Sequence, residues 1–506
     1  MKSENKKEIV FCKVENPADR SPEQFGLSLS YAFEYLSAFA LEDNVITDNF
    51  RFTVESASRD DLDEEVIFRI ALRKPFMVGF SCSVENVRRC AVLARQIKLG
   101  SPETKIIFGG PELFAPEQIM EKYTFVDYGV SGEGEQTFHE LLLSLLHSGK
   151  LTDVKGLCHR DNDCVVMNTA RKPMDDLSKI PVLFTEGRAD SLSGPILYES
   201  ARGCPHHCTY CLWSPYPKRY FPIERVKKEL GLLLGNPNVE RIFIIDSDFD
   251  SDVQRAKEIL TFIKKRGRPG IKVSAFLNFY EPDAELYDLV AELFHEVPIG
   301  IQTVSGHLMK ALGREWFDIT KFEKSLEAIL ARIPAEKLYI DLMHGLPDEK
   351  PGDFFETLVW CASRGLTHIN FFRLSIFPGS PLSKNAAKFG YATDPEPPHL
   401  VYSSKTLTYD DILDIETMIV NYKVLESIMR REELAELAST PGFKVAVERL
   451  HECLPDYEKH FVQINESNIS DVDNGTLAPA ALDFLTRAIK DKKTQEIIRR
   501  GINDQS

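Results

Sequence analysis

The sequence predicts an α/β protein in three parts: a doubly wound parallel sheet, a partial (β/α)6 barrel and a mainly helical C-terminal region. Two observations predict this order. Short apolar runs alternate with amphipathic stretches between residues 76 and 146 and again from residue 195, which is typical of parallel sheets covered by helices. After residue 408 the helical pattern dominates. The predicted boundaries are 1–170, a linker at 171–194, then 195–390 and 391–506.

The first part shows the strand and helix alternation over about seventy residues. A hairpin with Asp161, Asn162 and Asp163 at its turn is predicted to close it, between Leu157 and Thr169. The predicted elements are strands at Phe76–Ser81, at Lys105–Gly109 and at Tyr123–Val130, with helices at Val84–Ile97 and Phe138–Leu146.

The carboxyl ends of these strands are rich in glycine. Ser81, the pair Gly109 and Gly110, and Gly132 with Glu133 all fall there. Ligands bind parallel sheets at this edge, and glycine lets a backbone approach a ligand closely. Glycine pairs after strands also form ordinary tight turns, so the residues alone leave both interpretations open.

The second part repeats the βα unit six times, which predicts a partial barrel whose reactive site lies at the carboxyl ends of the strands. The predicted strands lie at Pro195–Ser200, Arg241–Asp246, Lys272–Leu277, Pro298–Thr303, Lys337–Met343 and His368–Leu374, with a helix at Val253–Arg266 after the second.

Three cysteines follow the first barrel strand at once. Cys204, Cys208 and Cys211 are separated by gaps of three and two residues. Thiolates so close in sequence converge on one soft-metal site, and a [4Fe–4S] cluster with three such ligands would leave one iron open. The alternative is a closed tetrahedral zinc site, for which His206 or His207 would have to supply the fourth ligand from inside the loop.

The segment Cys204-x3-Cys208-x-Tyr210-Cys211 resembles the cluster motif of radical S-adenosylmethionine (SAM) enzymes. The resemblance implies that SAM chelates the open iron and is cleaved reductively. It also implies SAM contacts from four residues: Tyr210 in the motif, Asp246 and Asp248 after the second strand, and Gln302 at the end of the fourth. Either aspartate is equally well explained as a helix cap, and the turn at Gly345 as simple geometry.

The first part resembles the Rossmann-like cobalamin-binding domain that precedes many radical SAM barrels. The resemblance rests on Gly109-Gly110-Pro111-Glu112 and on Gly132-Glu133-Gly134-Glu135-x-Thr137-Phe138. It implies cobalamin contacts from Ser81, Gly109, Gly110, Gly132, Glu133 and Thr137. The Asp-x-His-x-x-Gly motif that supplies an axial histidine in some cobalamin proteins is absent. Cys82 stands near that place, but a cysteine at the end of an apolar strand belongs more often to the core.

The C-terminal region is predicted to pack against the barrel. Ile412, Ile415, Met418, Ile419 and Tyr422 share one face of a helix. Such a region either covers the open site as a substrate lid or only closes the structure, and the sequence favours neither.

Composition narrows the classes of partner and compartment. A net charge of −16 argues against a nucleic-acid-binding surface, which depends on Lys and Arg. No run reaches the ~18 apolar residues of a membrane span. Ten cysteines in 506 residues and a polar first segment without a signal pattern predict a reducing, cytoplasmic location.

The two resemblances together imply a cobalamin-dependent radical SAM enzyme with a [4Fe–4S] cluster, SAM and cobalamin as cofactors. The implied reaction is methylation of an unactivated carbon in a small molecule or peptide, through a 5′-deoxyadenosyl radical and methylcobalamin. An electron donor such as flavodoxin or ferredoxin would serve it. Alternatives are radical rearrangement, cyclisation or oxidation without methyl transfer, a methylthiotransferase, and a non-catalytic protein that binds a cluster or zinc and a corrinoid.

Overall fold

The structure is a computed structural model that describes residues 6–15, 31–162, 164–214, 216–279, 282–453 and 474–503. Its first part is built on a seven-stranded sheet of order β2-β1-β3-β4-β5-β6-β7. The strands are β1 Lys7–Val14, β2 Phe50–Ala57, β3 Met77–Ser81, β4 Lys105–Gly109, β5 Tyr128–Val130, β6 Leu157–Asp161 and β7 Cys164–Met167. The first five are parallel, and β6 and β7 form the predicted hairpin, which is antiparallel and lies at one edge of the sheet.

Helices cover both faces of this sheet, as a doubly wound fold requires. They are α1 Tyr31–Leu41, α2 Asn44–Asn49, α3 Asp63–Leu72, α4 Val87–Gly100, α5 Pro116–Lys122 and α6 Glu135–His147. Alternate residues of the strands point to opposite faces. Val10 and Phe80 therefore pack in one core with α3 and α4, while Phe11 and Ile107 pack in the other with α1 and α6.

Two boundaries differ from the sequence prediction for local reasons. Helix α4 begins at Val87 because Asn86 first accepts a hydrogen bond from the Ser83 backbone N–H, 2.8 Å away, in a turn. Strand β5 begins only at Tyr128 because the preceding residues form a turn, in which the Val126 N–H donates to the Tyr123 carbonyl. Strands β1 and β2 were not predicted.

The second part is an open barrel of six parallel strands in two groups of three. They are β8 Gly194–Tyr198, β11 Val239–Ile244, β12 Lys272–Ala275, β13 Val297–Gln302, β14 Leu338–His344 and β15 Ile369–Arg373. The order is β12-β11-β8 in one group and β13-β14-β15 in the other. Between β8 and β11, the two-residue strands β9 Ala201–Arg202 and β10 Arg219–Tyr220 pair antiparallel and form the stem of the cysteine loop.

Helices surround the barrel and continue its core into the C-terminal region. The barrel helices are α7 Glu186–Ala189, α8 Ile223–Gly235, α9 Val253–Arg266, α10 Ala284–Leu293, α11 Gly306–Ala311, α12 Ile319–Leu330 and α13 Pro351–Ala362. The later elements are α14 Ala386–Phe389, the pair β16 Ala392–Thr393 and β17 Val401–Ser403, α15 Tyr409–Ile428, α16 Arg431–Ala438, α17 Gly442–Arg449, α18 Asn474–Ala488 and α19 Lys492–Asn503.

Helix α15 is buried around more of its circumference than the predicted single face. The five predicted residues are all buried, and so are Val420, Val424 and Leu425. The reason is that α15 lies between the barrel and α17: the Tyr422 hydroxyl donates to the Thr367 carbonyl at 2.8 Å, and Phe443 of α17 packs edge-on against the Tyr422 ring. Helix α15 is therefore a central packing element.

Within the described residues, none of the helices combines the length and the apolar character that crossing a membrane would need.

Candidate functional site

The cysteine loop is a hairpin-like excursion from the end of β8. Its stem pairs Arg202 with Arg219, and the Cys204 N–H donates to the Tyr216 carbonyl at 2.9 Å. Gly203 has φ of 76°, and a Cβ there would come within 2.1 Å of the Pro217 carbonyl oxygen. Only glycine fits this crossing, so Gly203 fixes the point from which the three cysteines extend.

The three cysteines of the loop lie near one another, close enough that a charge on one thiol raises the pKa of another. The Cys211 N–H donates to the Cys208 carbonyl at 3.2 Å, Cys208 is buried, and the other two cysteines are half-buried. Burial raises the pKa of Cys211 to about 11 and also raises the pKa of Cys204. Metal ligation requires thiolates, so a metal or cluster would displace protons from these groups on binding. In the described part of the chain, no three His, Cys, Asp or Glu side chains meet at single-ion distances.

A buried arginine contacts the cysteine loop from a segment after the fourth strand. The Arg314 guanidinium donates to the Gly300 carbonyl at 2.6 Å and to the Tyr210 hydroxyl at 3.2 Å, and it lies 3.7 Å from the Cys208 sulfur. Its Nε is buried and has no hydrogen-bond partner among the described residues. This cation was missed in the sequence, where Leu-Gly-Arg resembles an ordinary helix end.

Gln302 ends β13 in an unusual backbone conformation. Its φ is 68°, in the left-handed region that non-glycine residues rarely adopt, and its side-chain Oε1 is buried without a partner in the described chain. Strained backbone clusters at active sites and ligand clamps, and a buried polar atom without a partner calls for an explanation. Gln302, predicted to contact SAM, thus has an acceptor available at the barrel mouth.

A carboxyl group lies beside Gln302 on the next strand. Asp341 pairs in register with Gly300, and Asn370 of β15 donates to the Asp341 carboxylate at 3.0 Å. Burial raises the pKa of Asp341 to about 6. Gly300, Asp341 and Asn370 are adjacent across three strands and place polar groups together in a site that the sequence analysis missed.

The two aspartates predicted to bind SAM contact protein groups instead. Asp246 accepts from the Ser200 N–H at 2.7 Å, the Ser200 hydroxyl at 2.5 Å and the Ala201 N–H at 2.9 Å. Asp248 is fully buried, with Oδ2 2.6 Å from His206 Nε2. Both carboxylates hold the cysteine loop, and their contact with SAM stays a prediction.

A cavity of about 370 Å³ lies between the first domain and the barrel. Five of the six predicted cobalamin contacts line it: Ser81, Gly109, Gly110, Gly132 and Glu133. Barrel residues that include Gly203, Leu212 and Trp213 line the opposite side, so the cysteine loop forms part of its wall. The predicted ligand edge of the sheet is therefore one side of a cavity between domains.

The sixth predicted contact lies away from this cavity. Thr137 is fully buried, donates to the Lys155 carbonyl at 2.9 Å and accepts from Arg171 Nε at 2.8 Å. Cys82 is also fully buried in the core beneath α4. Their side chains are occupied in packing the first domain.

Aromatic residues from β1 and α1 form much of the cavity wall and were missed in the sequence. Phe11, Tyr31, Phe33 and Tyr35 line it together with Phe138. The Phe11 and Phe33 rings stack with centroids 4.6 Å apart. The sequence contains the aromatic pattern Tyr31-x-Phe33-x-Tyr35. The pattern alone does not show that these rings line a cavity, because that depends on where α1 lies.

Ion pairs join the first domain to the stem of the cysteine loop. Arg219 donates to both Glu133 oxygens, at 2.6 and 3.2 Å, and Arg202 lies 2.8 Å from Glu135. We call these two pairs the interdomain clasp. It connects the Gly-Glu-Gly-Glu segment to the cysteine loop, because the two arginines are paired in the stem of that loop.

A titratable carboxyl completes the cavity on the barrel side. Glu199, at the end of β8, accepts from Arg202 Nε at 3.0 Å, and its backbone N–H donates to the Tyr31 hydroxyl at 3.1 Å. Burial raises the pKa of Glu199 to about 7, against the lowering effect of Arg202. The cavity therefore contains an acid that changes charge near neutral pH.

Two family models match the chain one after the other. The B12 binding domain model matches residues 30–142, and the Radical SAM superfamily model matches residues 198–361. The chain therefore carries a B12 binding domain followed by a radical SAM domain. The predicted fold class is confirmed.

Known proteins with both parts are similar over most of the chain. The cobalamin-dependent radical SAM methyltransferase TokK of Streptomyces tokunonensis is 25% identical over 416 residues, which is 77% of this chain and 59% of TokK. The chain thus spans about three fifths of that relative's length.

Two solved structures share the fold. The radical SAM methyltransferase TsrM of Kitasatospora setae superposes with a TM-score of 0.60 at 18% identity, covering 77% of this chain and 79% of TsrM. The cobalamin-dependent radical SAM enzyme OxsB, with aqua-cobalamin and SAM bound, superposes with a TM-score of 0.65 at 16% identity, covering 98% of this chain and 83% of OxsB.

Proposed function

We propose that the chain is a cobalamin-dependent radical SAM enzyme that transfers a methyl group to a carbon of a small molecule or peptide. One observation carries the proposal: Gly203, Leu212 and Trp213 of the cysteine loop also line the cavity that the B12 binding domain forms with the barrel. A cluster and a corrinoid bound at these places would be neighbours.

The residues around the three cysteines fit a [4Fe–4S] cluster that has one open iron. The donor set is three thiols, since His206 contacts Asp248 and His207 points to solvent. Three thiolates leave a coordination position for a chelating ligand. The proposed ligands of the cluster are Cys204, Cys208 and Cys211.

The barrel mouth suits SAM because it contains buried polar atoms that are available for hydrogen bonds. Buried Nε of Arg314 and buried Oε1 of Gln302 are a donor and an acceptor without partners in the described chain. A guanidinium suits the SAM carboxylate, and an amide or carboxyl suits ribose hydroxyls. We assign Arg314 to the carboxylate, and Gln302 and Asp341 to the ribose.

The cavity fits a corrinoid at the glycine-rich edge of the sheet. A Cβ on Gly110 would come within 2.7 Å of the Cys82 carbonyl oxygen, and one on Gly132 within 3.1 Å of the Tyr216 hydroxyl. Glycine at these positions therefore lets the turns at the strand ends pack closely against Cys82 and Tyr216, and these turns form part of the cavity wall. The cavity's aromatic wall suits the apolar parts of the same ligand.

When bound, the cluster would supply the electron that cleaves SAM, and the corrinoid would carry the methyl group. The chain's own residues bind, orient and exclude water. Arg314 and Gln302 orient SAM, the interdomain clasp holds the loop against the cavity, and Glu199 can hold or release a proton at the cavity wall. Cys82 would not hold the corrinoid, since its thiol lies in the core of the first domain.

The names of similar proteins support methyl transfer. TokK and TsrM are named methyltransferases, and the TsrM structure contains its tryptophan substrate. OxsB, which matches 98% of this chain, is named only as a cobalamin-dependent radical enzyme. A radical rearrangement, cyclisation or oxidation without methyl transfer is therefore the second candidate.

The proposal also includes a cytoplasmic location and an electron donor such as flavodoxin or ferredoxin.

Anaerobic reconstitution tests the proposal. The chain is expected to hold about four irons and one cobalamin, and to convert SAM to 5′-deoxyadenosine with a reductant. Cys204→Ala should abolish the cleavage, whereas Cys453→Ala, a half-buried cysteine of the C-terminal region, should not. Unchanged cleavage in Cys204→Ala would exclude radical SAM chemistry, and failure to retain any corrinoid would exclude the cobalamin half.

A further inference from the structure

His206 lies in the cysteine loop with its ring directed inward. It is the second residue after Cys204, yet only 12% of its side chain is exposed, whereas its neighbour His207 is exposed. The two adjacent histidines of the loop therefore differ in environment, since His206 is largely buried and His207 is exposed. Such a buried ring needs specific partners.

Two partners hold the His206 ring from different parts of the barrel. Nε2 lies 2.6 Å from Asp248 Oδ2, and the ring stacks on the Trp316 indole with centroids 3.5 Å apart and planes 9° apart. Asp248 follows β11, and Trp316 follows β13. The imidazole thus connects the loop after the first barrel strand to the loops after the second and the fourth.

Each partner is itself fixed. Asp248 is fully buried next to Asp250, whose carboxyl accepts from the backbone N–H groups of Asn278 at 2.9 Å and Phe279 at 2.7 Å. This links Asp248 to the end of β12. The contact network therefore reaches the carboxyl ends of four of the six barrel strands.

The network closes back on the cluster ligands through Arg314. The guanidinium carbon lies 4.6 Å from the Trp316 ring centroid, a cation–π contact, and Nη1 lies 3.7 Å from the Cys208 sulfur. The path from His206 through Trp316 and Arg314 returns to Cys208, the second cysteine of the same loop. The segment between Cys204 and Cys208 is held at its middle and at its end.

We infer that His206 is the positioning residue that fixes the first two cluster cysteines relative to the SAM-binding side of the barrel. The inference rests on the proposed function, because it takes the three cysteines as cluster ligands. The imidazole contacts Asp248 by a hydrogen bond and Trp316 by stacking. It acts by holding the loop between Asp248 and Trp316, so that Cys204 and Cys208 keep their places when the cluster is reduced or SAM binds.

Adjacent histidines provide the test with a matched control. His206→Ala removes the stack and the hydrogen bond, His206→Phe keeps the stack alone, and His207→Ala changes an exposed ring in the same loop. After anaerobic reconstitution, the rate of iron loss to a chelator and the electron paramagnetic resonance spectrum with and without SAM are measured. Partners beyond the direct ligands typically change metal affinity 10- to 100-fold.

We expect His206→Ala to lose iron about 10-fold faster than wild type and to show a weakened or heterogeneous spectral response to SAM. His206→Phe should fall between, and His207→Ala should match wild type. If His206→Ala matches His207→Ala in both readouts, or only lowers the unfolding temperature, the inference is wrong.

Two further variants test the inference if His206→Ala does not fold. If His206→Ala gives no folded chain, His206→Phe and Trp316→Leu decide it, since Trp316→Leu leaves the loop sequence intact; wild-type iron retention in both would overturn the inference. A wild-type chain that takes up no cluster would instead overturn the proposed function.

Discussion

Arg314 lies where three parts of the candidate site meet. It contacts the Cys208 sulfur, the Tyr210 hydroxyl and the backbone of the fourth strand at the same time. A guanidinium suits this position because it is planar, has five donors and stays charged when buried. Lysine has a single charged nitrogen and cannot reach these groups together.

Arg314→Lys tests the assignment of this residue. It preserves the charge but loses the fork of donors, so the affinity for SAM should fall about 10- to 100-fold, as expected for a hydrogen bond to a charged group. Equilibrium binding of SAM to the reconstituted chain measures this. Arg332→Lys, an exposed arginine on the outer side of the barrel, is the control. Equal SAM affinity in the two variants would contradict the assignment.

Glu199 gives the cavity a pH dependence whose direction follows from its pKa. Burial raises that pKa from 4.5 to about 7, so the protonated carboxyl favours the folded state. This contribution is complete below about pH 4.5 and is lost as the pH rises through about 7, with an upper limit on the order of 3 kcal/mol.

Glu199→Gln, which resembles the protonated acid, should therefore gain stability relative to wild type as the pH rises from about 5.5 to 8. The measurement is the difference in Tm between the two cofactor-free chains across this range. Parallel Tm curves would show that Glu199 titrates normally in the folded chain.

Individual site residues differed in how well the sequence predicted them. The positions of the cysteines after the first barrel strand and of the glycines at the strand ends were predictable because a local pattern fixes their surroundings, while their roles as ligands stay predictions. Arg314 and Asp341 were not, since each becomes part of the site only through contacts made across the barrel. The partners of Asp246 could not be predicted either, because an aspartate after a strand has several groups within reach. In the structure its carboxylate accepts from the Ser200 hydroxyl and from two backbone N–H groups.

At the scale of elements, the stem formed by β9 and β10 connects two halves of the site. It is only two residues per strand, and isolated pairs of that length are marginal in water. Its arginines are fixed by Glu133 and Glu135 of the first domain. The conformation of the cysteine loop therefore depends on the B12 binding domain.

Breaking the interdomain clasp should weaken cobalamin retention. Glu133→Gln leaves the Arg219 guanidinium without a charged partner at the cavity wall, a loss of about 1.5 to 3 kcal/mol. We expect cobalamin affinity to fall roughly 10-fold or more, measured by equilibrium dialysis and the corrinoid absorption spectrum.

Glu140→Gln is the matched control, because Glu140 pairs with Arg171 on the first domain away from the cavity. It should retain cobalamin as wild type does. Equal retention in the two variants would show that the clasp does not support the cobalamin site.

The elements themselves were predicted unevenly. The barrel strands and α9 were found because apolar runs of five or six residues are separated by clear amphipathic helices. Strand β1 was missed because its apolar run, Ile9 to Cys12, is short and lies between charged residues. Strand β2 was missed because it is an edge strand with many partly exposed side chains, and α1 because its aromatic residues face a cavity.

At the scale of the whole molecule, the first domain, the barrel and the cluster loop share one cavity. The sheet contributes its carboxyl edge, the barrel contributes Glu199 and the loop stem, and α1 closes the wall with aromatic rings. The fold class followed from the sequence pattern. The way the domains face each other did not, because it depends on ion pairs between residues about 70 to 90 positions apart.

The C-terminal helices belong to the same packing unit as the barrel. Buried residues of α15, α16 and α17 continue the core that surrounds the barrel strands. Glu416 of α15 lies 3.4 Å from His344 and 3.3 Å from Arg373, which end the fifth and sixth strands. The region thus braces the open side of the barrel, and its role as a substrate lid stays a prediction.

The proposed methyl transfer requires that one chain brings SAM and cobalamin together, and a single measurement tests this without a known substrate. The chain, reconstituted with iron, sulfide and cobalamin, is incubated anaerobically with reductant and SAM carrying a deuterated methyl group, and the extracted cobalamin is analysed by mass spectrometry. We expect a deuterated methyl group on the cobalamin, and less of it in Glu133→Gln. Bound cobalamin that never acquires the label while SAM is cleaved would contradict methyl transfer.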